Sequence, residues 1–206
     1  MFQQALTGYK KALGSDHTST LTSVHNLGVL YADQGRQKEV EKMFQQALTG
    51  HKKALGPDHI STLNSVYSLG SLYQRQGRQK EVEEMYQQAL TGYKKALGPD
   101  HTSTLASVHG LGALYADQGR QKEAEEMFQR ALTGCKKALG PDYISTLNSV
   151  YSLGSLYQRQ GRLKEAEEMS QRALTGYKKA LGPDHHKTQR LTKELKRFQT
   201  LVNPNV

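Results

Sequence analysis

The sequence predicts an all-α protein, a solenoid of antiparallel helix pairs. A methionine recurs every 42 residues along the chain, and the tetrapeptide Ala-Leu-Thr-Gly follows each methionine at the same distance. Each period contains two stretches whose apolar residues have helical spacing, and each stretch is followed by a glycine. A period of this length indicates units that bury their apolar faces against their neighbours, so the repeats are expected to stack.

The first stretch of each period, which we call helix A, is predicted at 18–33, 60–75, 102–117 and 144–159. In the first copy Val24 and Leu27 belong to the apolar stripe, and Gly35 follows as a stop signal. Asp58 or Ser61 is the expected N-cap of the second copy, because short polar side chains accept hydrogen bonds from the first free amides of a helix.

The second stretch, helix B, is predicted at 37–55, 79–97, 121–139 and 163–181. In the first copy its apolar stripe includes Phe44 and Ala47 and ends at Gly56, which a proline follows. Gly28 and Ala47 are expected where the two helices of one repeat cross closely. Gly50 lies inside helix B, where glycine is unfavourable, so we expect it to contact the next repeat closely.

The predicted organisation is one solenoid over 1–206 whose two ends differ from the middle. Residues 1–14 are interpreted as a helix B without its helix A, 15–182 as four complete repeats, 183–202 as a C-terminal capping helix and 203–206 as a tail. The first helix should leave its apolar face partly uncovered, which would favour fraying or end-to-end association between chains. The residues of that face are Phe2, Ala5, Leu6, Tyr9 and Leu13.

The pattern Leu27-Gly28-x-x-Tyr31, followed by Phe44 and Ala47, resembles the tetratricopeptide (TPR) signature along essentially the whole chain. The 42-residue period and the connector Leu-Gly-Pro-Asp-His resemble the kinesin-light-chain subtype. The amino-acid sequence of 129–142 is most similar to the C-terminal repeats of fungal NOD-like (nucleotide-binding, STAND) receptors. The resemblance implies a right-handed TPR superhelix with a concave groove lined by helices A, and a sensor array with nucleotide-binding and effector domains upstream.

The helix A positions that differ between adjacent copies lie within one arc of roughly 120° of the helix surface. Exposed positions tolerate change, so this variation can be simple drift. The exposed face of helix B barely changes, however, and this contrast favours a diversified ligand surface. The predicted groove residues are Thr22, His25, Asn26, Val29, Asp33, Asn64, Tyr67, Ser71, Gln74, Arg75, Ala106, His109, Gly110, Ala113, Asp117, Asn148, Tyr151, Ser155, Gln158 and Arg159.

Within the groove, Tyr67 and Tyr151 are the predicted anchors, because tyrosine combines a large contact area with a polar end. His25 and His109 are predicted to be intervening polar contacts. Hydrogen bonds to the ligand are expected from Asn64, Asn148, Arg75 and Arg159. The groove charges cancel in this interpretation, because aspartate and arginine alternate in successive helices, at Asp33, Arg75, Asp117 and Arg159.

The formal charge of +9 is expected outside the groove, on the lysine pairs of helix B, such as Lys52-Lys53, and on the basic residues of 187–197. Nucleic-acid binding would require such charge to be interleaved with stacking aromatic residues along a continuous track, and a solvated outer face is the favoured interpretation, so no specific nucleic-acid partner is predicted. Glutamates of helix B such as Glu125 are interpreted as solvated, with intrahelical partners at best.

Catalytic, cofactor and metal sites are not predicted, because the sequence contains no nucleophile elbow, P-loop or His-Glu-x-x-His motif. Connector histidines such as His59 are expected to hydrogen-bond the turn. No apolar run of ~18–20 residues is present, so no membrane partner is predicted. Cys135 is the single cysteine, which agrees with a cytoplasmic location.

The predicted function is a scaffold that binds a protein or peptide, acting as the ligand-sensing region of a fungal NOD-like receptor. One alternative is a cargo adaptor like kinesin light chain, a family whose groove carries asparagine near the position of Asn26. A second alternative is an engineered repeat array, which predicts uniform copies and a deliberate N-terminal cap.

Overall fold

The computed structural model describes residues 2–202, with the backbone alone at Phe2, Asp33, Gln199, Leu201 and Val202. This part of the chain forms ten α-helices and no strand, which confirms the all-α repeat fold. The predicted bounds of the four helices A and the four helices B within 15–182 are also confirmed, whereas the predicted tail 203–206 lies outside the described residues. The helices are α1 (Phe2–Leu13), α2 (Thr18–Asp33), α3 (Gln37–Leu55), α4 (Ile60–Arg75), α5 (Gln79–Leu97), α6 (Thr102–Asp117), α7 (Gln121–Leu139), α8 (Ile144–Arg159), α9 (Leu163–Leu181) and α10 (His186–Val202).

The chain divides into two compact units, Met1–Ser107 and Val108–Val206, with the boundary inside α6. In the first unit the helices α1 to α5 pack in succession, and α2 also contacts α4. In the second unit α7 packs on α8, α8 on α9 and α9 on α10. The helices A α2, α4 and α8 are therefore each flanked by two helices B, as expected for stacked helix pairs.

Each repeat has a core at the crossing of its two helices. Leu63 and Val66 of α4 pack with Ala89 and Tyr93 of α5, and none of the four is more than 2% exposed. A Cβ atom on Gly92 would lie 2.4 Å from a Leu63 methyl carbon. This glycine position therefore contacts helix A of its own repeat.

The expectation that Gly50 contacts the next repeat is wrong, because this glycine, like Gly92, lies against helix A of its own repeat. A Cβ atom at Gly50 would lie 2.4 Å from Leu21 Cδ1, on helix A of its own repeat. The expected close crossing at Gly28 is confirmed, because a Cβ atom there would lie 2.8 Å from the Phe44 ring. Both glycines therefore allow the two helices of one repeat to approach closely.

The connectors between repeats are capped by histidine. Nδ1 of His59 accepts a hydrogen bond from the Ser61 backbone amide at 3.1 Å, so the expected capping by Asp58 or Ser61 is wrong. The expected turn role of the connector histidines is confirmed. The same bond is made by His17, His101 and His185. Tyr143 occupies the equivalent position of α8 and makes no side-chain cap.

An arginine in the turn between helix A and helix B links neighbouring repeats. The guanidinium of Arg162 lies 3.9 Å from the Tyr157 ring centroid and donates to Glu125 Oε1 of α7 at 2.9 Å. Arg78 makes the equivalent bond to Glu41 at 2.7 Å, and this hydrogen bond lowers the pKa of the Glu41 carboxyl. The expectation that Glu125 has only intrahelical partners is therefore wrong.

Helix α1 exposes much of its apolar face. Tyr9 is 42% exposed and Leu13 is 44% exposed, which confirms the predicted uncovered face at these residues. The side chain of Phe2 lies outside the described residues. Within residues 2–202, no helix combines the length and the apolar character needed to cross a bilayer.

Candidate functional site

Each unit contains a pocket between two neighbouring helices A, and the two pockets are equivalent. In the first unit a pocket of about 190 Å³ lies between α2 and α4. In the second unit a pocket of about 130 Å³ lies between α6 and α8. Eight positions shared by both pockets are Val29/Ala113, Ala32/Ala116, Phe44/Phe128, Tyr67/Tyr151, Ser68/Ser152, Ser71/Ser155, Leu72/Leu156 and Arg75/Arg159.

The sequence-predicted anchor Tyr67 is a half-buried wall of the first pocket. Its ring centroid lies 5.4 Å from that of Tyr86 on helix B. Burial raises the pKa of the Tyr67 hydroxyl, so this group remains a neutral hydrogen-bond donor. Tyr67 therefore presents a fixed ring to the pocket instead of a mobile exposed side chain.

The second predicted anchor, Tyr151, is already engaged by α10. Its hydroxyl donates a 3.0 Å hydrogen bond to Glu194, and the guanidinium of Arg190 lies 5.3 Å from its ring centroid. Burial raises the pKa of Tyr151, and the neighbouring Glu194 carboxylate raises it further. The hydroxyl and the ring of Tyr151 thus both have partners within the protein.

The two predicted arginines stand at the pocket rims and bridge adjacent helices A. Nη1 of Arg75 donates to the Ala32 carbonyl at 3.3 Å, and Arg159 makes the same bond to Ala116. Arg159 also lies 3.7 Å from Asp117, and the side chains of this pair are 54% and 50% exposed. The predicted cancellation of charge is seen at this pair. The corresponding side chain, Asp33, lies outside the described residues.

The predicted histidines are half-buried between helices A and B. The ring of His25 lies 5.3 Å from Phe44, and its Nδ1 is buried without a hydrogen-bond partner. Burial lowers the pKa of His25 to about 4, with a smaller effect from His51. Nε2 of His109 lies 3.0 Å from Ser152 Oγ, and burial lowers the pKa of His109 to about 4 as well. Both rings are therefore neutral at pH 7.

The predicted asparagines have partners within the protein. Oδ1 of Asn64 accepts a 2.5 Å hydrogen bond from the Tyr93 hydroxyl, and Asn148 accepts one of 2.7 Å from Tyr177. Lys187 Nζ also donates to Asn148, at 3.1 Å. The carbonyl oxygens of both amides are thus engaged internally, and the predicted hydrogen bonds from these asparagines to a ligand stay a prediction.

The other predicted groove residues differ in accessibility. Gly110 is buried, and Gln74 accepts a hydrogen bond from the Tyr86 hydroxyl at 3.0 Å. The half-buried residues are Ser71, Ala106, Ala113 and Ser155. The exposed residues are Thr22, Asn26, Val29 and Gln158.

Sequence reasoning missed the residues of α10 that extend this surface. Lys187, Arg190 and Glu194 contact Asn148 and Tyr151 of α8. A signal was present, because the 42-residue period places Arg190 at the position of Asn148. The interpretation of 187–197 as a solvated basic cap left out the equivalence of Arg190 and Asn148 in the repeat.

A metal site was not predicted, and within residues 2–202 no group of three His, Cys, Asp or Glu side chains is placed to share an ion. The rings of His185 and His186 lie 4.2 Å apart, but Nδ1 of His185 already accepts the capping bond of α10. The two described pockets are lined by aromatic rings, serine hydroxyls and a guanidinium group at each rim.

Comparison with known families matches residues 3–180 to the MalT-like TPR region. Two similar solved structures contain nearly identical TPR-like repeats from a Podosopora anserina protein described as a kinesin light chain. One has a TM-score of 0.67 and 30% identity, over 92% of this chain and 85% of that chain. The other has a TM-score of 0.64 and 30% identity, over 87% and 85%. BtubC (BKLC) from P. vanneervenii, at 18% identity, shares the fold with a TM-score of 0.68 over 98% and 88%. Comparison with curated proteins gave no match.

Proposed function

The chain belongs to the family of MalT-like TPR regions, and we propose that it binds a protein or peptide along the faces of its helices A. The predicted TPR-like and kinesin-light-chain-like character of the repeats is confirmed. TPR scaffolds are generally not enzymes, and we assign the chain no catalytic step. Stacked helical repeats bind partners along extended surfaces that successive repeats build together.

The pair of equivalent pockets is the observation that carries this proposal. Both pockets have an aromatic wall, two serine hydroxyls and an arginine at the rim. This combination of apolar wall and convergent polar groups is typical of ligand sites. Each pocket suits one side chain of a ligand, with the ring of Tyr67 or Tyr151 as the contact surface.

A pocket-blocking variant tests the proposal. Val29 and Ala113 occupy equivalent positions at the two pockets, and Val29 is 43% exposed. Val29→Trp with Ala113→Trp should cover both pockets with little effect on the core. A peptide library would be selected on the wild-type chain, and the affinity of the selected peptides would then be measured for each variant.

We expect the selected peptides to lose at least about tenfold in affinity for the pocket-blocking variant. Lys52→Ala with Lys53→Ala, on the exposed face of α3, is the control and should bind like wild type. Thermal unfolding would establish that the variants have matched stability. Peptides that lose affinity only for the lysine variant would assign binding to the helix B surface and refute the proposal.

We further propose that the array is the ligand-sensing region of a fungal NOD-like receptor in the cytoplasm. Two facts support this, the near identity of the copies and the concentration of their differences on helices A. A kinesin-light-chain-like adaptor is the second candidate, favoured by the Podosopora anserina repeats at 30% identity. The full-length gene distinguishes the two. An upstream nucleotide-binding domain would support the receptor, and an upstream heptad coiled coil would support the adaptor.

A further inference from the structure

Helix α10 continues the helix A surface with a different chemistry. Its apolar residues Leu191, Leu195 and Phe198 are buried, and they line a small cavity together with Tyr151 and Ser155 of α8. The polar contacts of α10 with α8 involve Lys187, Arg190 and Glu194. These contacts place the polar side of α10 next to the second pocket, which Tyr151 and Ser155 also line.

The side chains on that part of α10 are mostly basic. At 100° per residue, five charged residues fall within one arc of about 120°. We call this set the basic arc. Its members are Lys187, Arg190, Lys193, Glu194 and Arg197. Four of the five carry a positive charge, whereas the paired Arg159 and Asp117 leave the adjacent α6 and α8 rim near neutrality.

Positive charge on the basic arc is only partly compensated. Glu194 Oε1 lies 3.5 Å from Arg190 Nε, and the Arg190 side chain is still 59% exposed. Lys193 and Arg197 are exposed. Lys187 and Arg190 are three residues apart on one helix face, and burial together with the charge of Arg190 lowers the pKa of Lys187. An anionic partner group would relieve this repulsion.

We propose that the basic arc binds an acidic segment of the protein or peptide ligand held on the helix A face. This inference rests on the proposed function and adds the charge and position of one part of the ligand. Arg190 and Arg197 are separated by about 10 Å along the helix axis. An acidic run of about three extended residues covers that distance.

A peptide fits the basic arc better than a nucleic acid does. Binding of single-stranded nucleic acid uses aromatic rings on which bases stack. The basic arc contains no aromatic residue, and Tyr151, the ring beside it, already contacts Arg190 and Glu194. None of the exposed large apolar residues of the described chain belongs to α10, so charge and not apolar burial would hold the partner.

The test uses peptides selected on the wild-type chain, each synthesised with three glutamates or three glutamines at one end. Fluorescence anisotropy would measure their affinities at low and high salt. The glutamate form should bind about tenfold more tightly at low salt, and added salt should reduce this advantage. Lys193→Glu with Arg197→Glu should abolish the advantage.

Lys52→Glu with Lys53→Glu is the matched control, because it reverses two charges on exposed residues of α3. It should keep the advantage of the glutamate peptide. Equal loss in both charge-reversal variants, or no advantage in wild type, would overturn the inference. Tighter binding of a labelled 12-nucleotide RNA, lost with Lys193→Glu and Arg197→Glu, would assign the arc to nucleic acid and also overturn it.

The pocket-blocking variant separates this inference from the proposed function. If both peptide forms lose affinity when Val29 and Ala113 are replaced by tryptophan, the helix A face binds the ligand whatever the glutamates do. If neither form loses affinity, the proposed function fails, and the inference that rests on it fails too. If Lys193→Glu with Arg197→Glu abolishes the advantage of the glutamate peptide while the glutamine peptide still binds, that loss is the contribution of α10.

Discussion

The Tyr93 hydroxyl of α5 donates a 2.5 Å hydrogen bond to Oδ1 of Asn64 on α4. Asn64 is one of the helix A positions that differ between adjacent copies, and Tyr93 stands at a helix B position that differs as well. In the first repeat these positions hold Thr22 and His51, whose side chains lie 3.4 Å apart. The helix A residue at this position therefore varies together with the helix B residue that it contacts. Ligand contact is not the only explanation for the differences between copies at this position.

Removing the Tyr93 hydroxyl should destabilise the first unit. We expect Tyr93→Phe to lower the free energy of unfolding by about 1 kcal/mol, the usual net contribution of such a hydrogen bond. A double-mutant cycle with Asn64→Ala, measured by chemical denaturation, should give a coupling energy of similar size. A coupling energy of zero would show that the bond does not stabilise the fold.

Two glycines at the same position of helix B should respond in opposite ways to alanine. At Gly92 a Cβ atom would lie 2.4 Å and 2.7 Å from the two methyl carbons of Leu63, which is 1% exposed and has little room to move. Gly92→Ala should therefore lower the free energy of unfolding by about 1–2 kcal/mol, the cost of overpacking less the gain in helix propensity.

Gly8 is the matched control for Gly92, because nothing lies within 4 Å of its Cβ position. Gly8→Ala should raise the free energy of unfolding by up to about 1 kcal/mol through helix propensity alone. Chemical denaturation measures both variants. Equal effects at the two sites would contradict the close contact between Gly92 and Leu63.

Acid should destabilise the protein through two half-buried histidines. The pKa values of His25 and His109 are lowered from 6.5 to about 4, chiefly by burial, with His51 and Lys187 as the nearby groups that add to the effect. The unfolded chain therefore binds more protons than the folded chain between these pH values. The stability is full above pH 6.5 and falls towards pH 4, by at most about 3 kcal/mol per histidine.

Replacing both histidines by tyrosine, the residue of the alternate repeats, checks this acid sensitivity. His25→Tyr with His109→Tyr should flatten the dependence of the free energy of unfolding on pH between 6.5 and 4. Urea denaturation at several pH values measures the slope. An unchanged slope would show that other groups cause the loss of stability in acid.

Helix α8 should gain stability from the cap that it lacks. Tyr143 is 54% exposed and makes no capping bond, whereas His59 caps α4 from the equivalent position. Tyr143→Asp should raise the free energy of unfolding by about 1 kcal/mol, because aspartate both caps the helix and complements its dipole. His59→Ala should lower it by a similar amount, and thermal unfolding would measure both changes.

Local signals in the amino-acid sequence were enough to place the start and end of the four helices A and four helices B within 15–182. Apolar periodicity and the glycine after each helix act within one turn or a few turns of helix. The same signals predicted the close crossing at Gly28, because only a small residue fits between two packed helices. Local chemistry was therefore sufficient for the helices and for the repeat family.

The partner of each polar side chain, in contrast, depends on how the repeats pack. Arg78 and Glu41 are 37 residues apart in the chain, and Tyr151 and Glu194 are 43 residues apart. The contact between Gly92 and Leu63 likewise depends on how one helix crosses another. The helical period gives the direction of a side chain from its own axis, but the distance to a second helix is set by the packing of whole repeats. For that reason the sequence located the variable face of helix A, while packing determined which of its side chains have partners within the protein.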